Sequence, residues 1–234
     1  MSSQSEKNAR RRFRDVVSQE DHLIDLAEAA LLIAAEEYPR LDVDLYKEKL
    51  DRFADIARER ARGLTHTRDV ISALNETLFD EIGFHGNREH YYDPRNSFLN
   101  EVIDRRTGIP ITLTVVYMEV ARRIGFSVRG VGLPKHFIAK CSAEDEEIFI
   151  DPFNGGRVMG EFGCAELLLE MSGGRLKLDP AYLAAMTNKQ ILSRMLGNLL
   201  GIYGGSNDYA RALAVIEQIL ILNPDSVHHI RDHG

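Results

Sequence analysis

One helix limits the architectures open to this chain. The stretch GIPITLTVVYMEVARRIG, residues 108–125, opens on Pro110, which suits a first helical turn, and closes on Gly125. Between them apolar residues run round most of the circumference, so the helix has no face to leave in water. It must sit inside a core that other elements supply. The segments after it are short and β-rich: FSVRGVGL, then PKHFIAKCSAEDEEIFIDPFNGG, then GRVMG. The pattern predicts a small antiparallel sheet packed on the buried helix, an α+β arrangement.

Upstream, three amphipathic helices are expected. DHLIDLAEAALLIAAEEY spaces Leu23, Leu26, Ala27, Ala30, Leu31 and Ala34 as a helical face, with Pro39 as the stop. The next buries Leu45, Leu50, Phe53 and Ile56 or Ala57 and ends at Gly63; the third buries Val70, Ile71, Leu74, Leu78 and Phe79 and ends at Gly83. Nothing in them points to chemistry. The stretch HGNREHYYDPRNSFLNEVIDRRTGIP differs, being denser in polar and aromatic groups than a plain surface loop needs. Within it Asn96 or Ser97 is placed to cap a short helix carrying Leu99, Val102 and Ile103. The expected division is a flexible basic arm (1–18), an N-terminal helical subdomain (19–86), a core (87–180) and a C-terminal helical segment (181–234).

The hairpin carries the clearest chemical signal. Strands 136–141 and 146–151 with a four-residue loop would oppose His136 with Asp151, Ile138 with Phe149 and Lys140 with Glu147, leaving Phe137, Ala139, Ile148 and Ile150 on an apolar face. Opposed residues stand about 5 Å apart at Cβ, close enough for a carboxylate to orient an imidazole. The plainer reading is a cross-strand hydrogen bond at a sheet edge. Cys141 does not complete a catalytic set. Five residues from His136 on a strand, it faces the other way and lies about 16 Å off, and a neighbouring Glu146 would raise its pKa. Cys164, at the start of a helix in EFGCAELLLE, is the better-placed thiol.

A helix start followed by a histidine strand and an aspartate strand is the order of the papain/transglutaminase-like core. More closely, LAEAALLIAAEEYPRLDV, LNETLFDEIGFHGN, YYDPRNSFLNEVIDRRTGIPITLTVVYMEVARRIGF, GVGLPKHFIAK and IDPFNGG resemble the bacterial SirB family of transglutaminase-like proteins with tetratricopeptide ends. Asn198, Leu199, Tyr203, Ala210, Ala212, Leu213 and Pro224 are similar to a tetratricopeptide consensus, which implies a helix pair docked on the main domain. The resemblance implies that His136 and Asp151 stand for the triad histidine and aspartate. The thiol belongs in the first helical turn, which here reads Pro110, Ile111 and Thr112. Thr112 is the tentative substitute nucleophile, with bonding to a backbone carbonyl or capping as its structural alternative. Asn96, Ser97, Asn100, Glu101, Asp104, Arg105, Arg106 and Asn154 are expected to line or brace the cleft, the arginines paired with Glu101, Asp104 or Asp151. Lys135 stands where the family has a glycine. The family also continues past Gly234 into further helix, which would leave Leu213, Ile216 and Leu220 as a surface for a partner or a second copy.

Composition narrows the function classes. At 44% hydrophobic and 28% charged the chain is globular rather than disordered. Its net charge of −7 disfavours nucleic acid and acidic membranes as partners, leaving the basic run Arg10–Arg14 as a solvated arm. Two cysteines without ligand spacing argue against disulfides and zinc, and His228, His229 and His233 read as exposed polar residues. No apolar run is long enough to span a bilayer, and the start lacks the apolar stretch of a secretory signal. The expectation is a cytoplasmic transglutaminase-like protein without cofactor or metal, binding a protein or peptide through cleft and C-terminal helices. The competing expectation is an amide hydrolase or acyl-transferase using His136 and Asp151 with Thr112 or Cys164.

Overall fold

The computed structural model describes residues 4–143 and 146–224. Its element order is α1 (Gln4–Val17), α2 (Leu26–Glu37), α3 (Val43–Arg60), α4 (Thr67–Asn75), β1 (His85–Gly86), α5 (Leu99–Arg105), β2 (Thr107–Gly108), α6 (Pro110–Arg123), β3 (Arg129–Val131), β4 (Ile138–Ala143), β5 (Glu146–Asp151), β6 (Arg157–Met159), α7 (Glu161–Met171), α8 (Asn188–Gly205) and α9 (Tyr209–Leu222).

The helix with the apolar circumference is α6, buried along nearly its whole length. The four-stranded antiparallel sheet β3-β4-β5-β6 covers one side of it, and α2, α3, α5 and α8 pack on it from elsewhere. The sheet is itself enclosed. Phe137, Ala139, Cys141, Ile148 and Ile150 join the main core with α6, while Ile138 and Phe149 turn the other way and pack with Cys164 and Leu167 of α7. The strand alternation thus serves two apolar layers. One core runs from Phe13 to Leu222, so the N- and C-terminal helices share it with the sheet.

The register differs from the expected one by two residues. Ala139 pairs with Ile150, Lys140 with Phe149 and Cys141 with Ile148, so the strands close at Ala143–Glu146 with two residues between them rather than four. A shift of two preserves every side chain's face, which is why the apolar layers come out as expected. The expected Lys140–Glu147 contact survives as a diagonal ion pair of 2.6 Å.

Helix boundaries shift where capping chemistry overrides apolar spacing. Asp25 accepts from the Glu28 N–H and starts α2, leaving Leu23 exposed in a preceding 3₁₀ turn. Leu45 and Ile56 lie on the solvent side of α3, and Ala57 takes the buried place. The residues expected as a frayed arm form α1. Phe13, Val16 and Val17 recur at i, i+3 and i+4 and are buried, while Arg10 pairs with Glu36 and Glu217, and Arg12 pairs with Glu28 at 2.8 Å. At the other end α8 and α9 run antiparallel across the turn at Ser206–Asp208, with Leu213 of α9 exposed. His228, His229 and His233 lie outside the described residues.

Candidate functional site

His136 and Asp151 meet. His136 Nε2 lies 2.9 Å from Asp151 Oδ2, with both residues buried. By register Asp151 would oppose Ile138, the first residue of β4, so His136 makes this contact from two residues before the strand begins. The turn that allows it carries the His136 N–H to Leu133 O bond and places Lys135 at φ 62°, a left-handed conformation that favours glycine. Lys135, expected to stand in place of a glycine, thus falls where the backbone favours one.

Asp151 is held from four directions. Its Oδ1 accepts the backbone N–H groups of Phe153 and Asn154, and its Oδ2 accepts the Asn154 side-chain amide at 2.6 Å as well as the imidazole. The Asx turn comes from the D-P-F-N sequence itself, with Pro152 fixing the first helical position of a 3₁₀ turn. The loop is pinned from outside: Asn75 Nδ2 donates to Gly156 O at 2.7 Å, and a side chain at Gly156 would collide with Asn75 and Phe79. Phe153 packs edge-on to the imidazole at 6.0 Å between ring centres.

Arg194 of α8 braces the histidine turn. Its Nη2 donates to the carbonyls of Leu133 and His136, each at 2.7 Å, and its guanidinium lies over the Phe137 ring. Burial pulls its pKa below the usual arginine value. Gly132 leaves the space it needs, since a Cβ there would come 2.7 Å from Arg194 Nη1.

The other ring nitrogen, His136 Nδ1, is buried without a hydrogen-bond partner, and the residue borders a cavity of about 890 Å³. The wall comes from six segments: Arg88, Tyr91 and Tyr92 after β1; Ile109, Pro110 and Ile111 at the start of α6; Lys135–Phe137; Phe153, Asn154 and Arg157 around β6; Leu167, Glu170 and Met171 of α7; and Arg194 and Asn198 of α8. Among the described residues no cysteine, serine or threonine lines it.

The remaining candidates lie elsewhere. Thr112 is fully buried, and its hydroxyl donates to Asn96 O at 2.8 Å while accepting from the Ile109 N–H, which makes it a helix-start cap. Gly108 abuts that hydroxyl. Among the residues expected to line the cleft, Asn154 does so. Asn96, Ser97 and Asn100 are buried behind it, and Glu101, Arg105 and Arg106 do not border it. Asn96 ties the aromatic loop together through the carbonyls of His90 and Tyr91; Asp93 caps the 3₁₀ turn Pro94–Ser97, and α5, which Asn96 or Ser97 was expected to cap, follows Phe98 without a side-chain cap. Arg105 approaches Asp93, Arg106 sits over the rings of Phe53 and Phe84, and Asp104 binds Lys49 and Tyr46. The expected arginine partners are thus replaced, because α5 turns its charges toward α3 and the aromatic loop.

Both thiols are suppressed by their surroundings. Burial pushes Cys141 up to about 11, and its strand partner is Ile148 rather than Glu146. Burial, with the charges of Asp151 and Glu161, pushes Cys164 up to about 12. Cys164 lies one turn into α7, inside the apolar layer beneath the sheet.

Sequence pattern alone did not reveal Arg194, Arg88, Tyr91, Tyr92, Phe153 and Arg157 as site residues. The aromatic density of the REHYYD stretch was the available signal for three of them; nothing local marked Arg194.

A buried helix start, a histidine turn and an aspartate strand converging on one cleft define a transglutaminase-like core. The chain belongs to the transglutaminase-like superfamily, whose model matches residues 44–197, from α3 into α8. It is similar to the UPF0162 protein of Xylella fastidiosa (strain 9a5c), 37% identical over 95% of this chain and 80% of that one, and to the UPF0162 protein of Vibrio cholerae, 29% identical over 90% and 78%. It also resembles F-box only protein 21 of Mus musculus, 31% identical over 68% of this chain and 26% of that protein. No solved structure matches. Among the described residues no helix is long and apolar enough to cross a membrane.

Proposed function

We propose that this is a regulatory, protein-binding member of the superfamily, of the SirB type. In this reading it keeps the histidine–aspartate pair as recognition chemistry and works without a cysteine nucleophile. The observation that carries the reading is the helix start that lines the cavity together with the imidazole. A thiol in the first turn of a helix is where a dipole would activate it, and that turn presents Ile109, Pro110 and Ile111 to the cavity. Aliphatic side chains offer no electron pair to an amide carbonyl. The same wall suits contact with a partner, with Tyr91, Tyr92 and Phe153 as flat anchors. The C-terminal helices, read as a tetratricopeptide-like pair, extend the binding surface, since Arg194 and Asn198 of α8 border the cavity.

The test is labelling of the folded chain with thiol- and hydroxyl-directed amide probes. The binding reading predicts no label that depends on His136. Label on Cys164 or Thr112 that disappears in His136→Ala would establish the hydrolase or acyl-transferase alternative instead.

A further inference from the structure

The cavity's lining has a sign and a set of flat rings, and together they specify a ligand. Arg88, Lys135, Arg157 and Arg194 border it against one carboxylate, Glu170. This concentration of positive charge occurs on a chain of net charge −7. None of the four cations has a carboxylate partner among the described residues: Arg194 donates to carbonyls and Arg88 to the Asn154 side chain. The structure builds a cationic wall and leaves it unneutralised.

His136 adds a polar edge to this wall, its ring only 3% exposed and its Nε2 on Asp151. Beside the cations stand Tyr91, Tyr92 and Phe153, rings that an inorganic anion would leave uncovered. A peptide meets both: its acidic side chains supply the opposite charge and its apolar ones cover the rings.

We propose that this cavity binds an acidic peptide segment, with a ligand carboxylate held by Arg157, Lys135 and Arg88; this rests on the binding reading of the cleft. Tyr91, Tyr92 and Phe153 take an apolar side chain beside the acid. The chain's overall negative charge works against a nucleic acid in the same place.

The experiment is fluorescence anisotropy on the full chain. Its probes are a fluorescein-labelled peptide alternating glutamate and leucine, the same peptide with glutamine for glutamate, and a labelled single-stranded oligonucleotide. The glutamate peptide should bind, the glutamine peptide about tenfold or more weakly, and Arg157→Gln should weaken the glutamate peptide about tenfold, as loss of one charge-assisted contact implies. Glu170→Gln should tighten it. Addition of the glutamate peptide should shift the His136 ring resonances in a ¹⁵N spectrum. Arg157 lies on the rim and Glu170 on the exposed side of α7, so neither substitution disturbs the core. Equal binding of the two peptides, no binding of either, indifference to Arg157→Gln, or an oligonucleotide bound more tightly through the same arginine would each overturn the proposal. Equal binding of both peptides would still leave the cleft a binding site, whereas His136-dependent probe labelling would remove the broader reading as well.

Discussion

Two parts of the cavity's lining are built on opposite principles. The sheet-side wall is polar and fully specified: Asp151 accepts four N–H groups, Asn154 and Phe153 are fixed by the turn that Asp151 caps, and Arg194 clamps the backbone of His136 from α8. The helix-side wall, Ile109–Ile111, is aliphatic and held by packing, with the hydroxyls of Thr112 and Thr114 turned to backbone carbonyls. A buried polar network lowers stability unless every member is satisfied. Its persistence in a cavity that no cysteine, serine or threonine among the described residues lines separates orientation of the imidazole from attack by a thiol.

The largest effect that would sharpen this contrast comes from Asp151→Ala. It strands two backbone N–H groups, the Asn154 amide and the imidazole together, and should cost about 3–5 kcal/mol in urea unfolding. A loss under about 1 kcal/mol would mean that the polar wall is not one cooperative unit.

The next effect is on pH. The thiol of Cys164 is raised to about 12 and that of Cys141 to about 11, from an ordinary 9. The folded state therefore holds these protons more tightly than the unfolded chain. Their contribution to stability is complete below about pH 9 and is lost as pH rises through 11 and 12, with a slope approaching about 1.4 kcal/mol per pH unit for each thiol. Alkaline unfolding of the chain compared with its Cys164→Ala variant isolates the contribution: the variant should show the shallower decline, and equal slopes would contradict the burial argument.

A smaller effect is expected at the clamp. Arg194→Met removes both carbonyl contacts while keeping much of the apolar stem, and should lower stability by about 1–2 kcal/mol in thermal melts. A neutral outcome would place the histidine turn under local control alone.

The contrast between the walls also explains what the sequence disclosed. The His136–Asp151 pair was readable because alternation along two strands fixes faces, and a register error of two residues leaves faces unchanged. The buried helix was readable because its apolar circumference admits one environment. Boundaries such as the start of α2 were misplaced where a single capping aspartate outweighed a run of apolar residues. The basic N-terminal run looked solvated because its carboxylate partners, Glu36 and Glu217, lie 26 and 207 residues from Arg10. Arg194 was invisible for the same reason: it reaches His136 from 58 residues away, and only the docking of α8 brings them together. The cleft's lining was therefore the least legible part, being assembled from six separated segments.

The central claim is that an oriented imidazole faces a helix start from which only the nucleophile is missing. Ile111→Cys tests it most directly, by restoring a thiol to the first turn of α6. Alkylation by iodoacetamide at about pH 7, resolved by peptide mass spectrometry, should be much faster at residue 111 than at Cys141 or Cys164, and should fall when His136→Ala is added. A thiol at 111 that reacts no faster than the two buried cysteines, or whose rate ignores His136, would contradict the account.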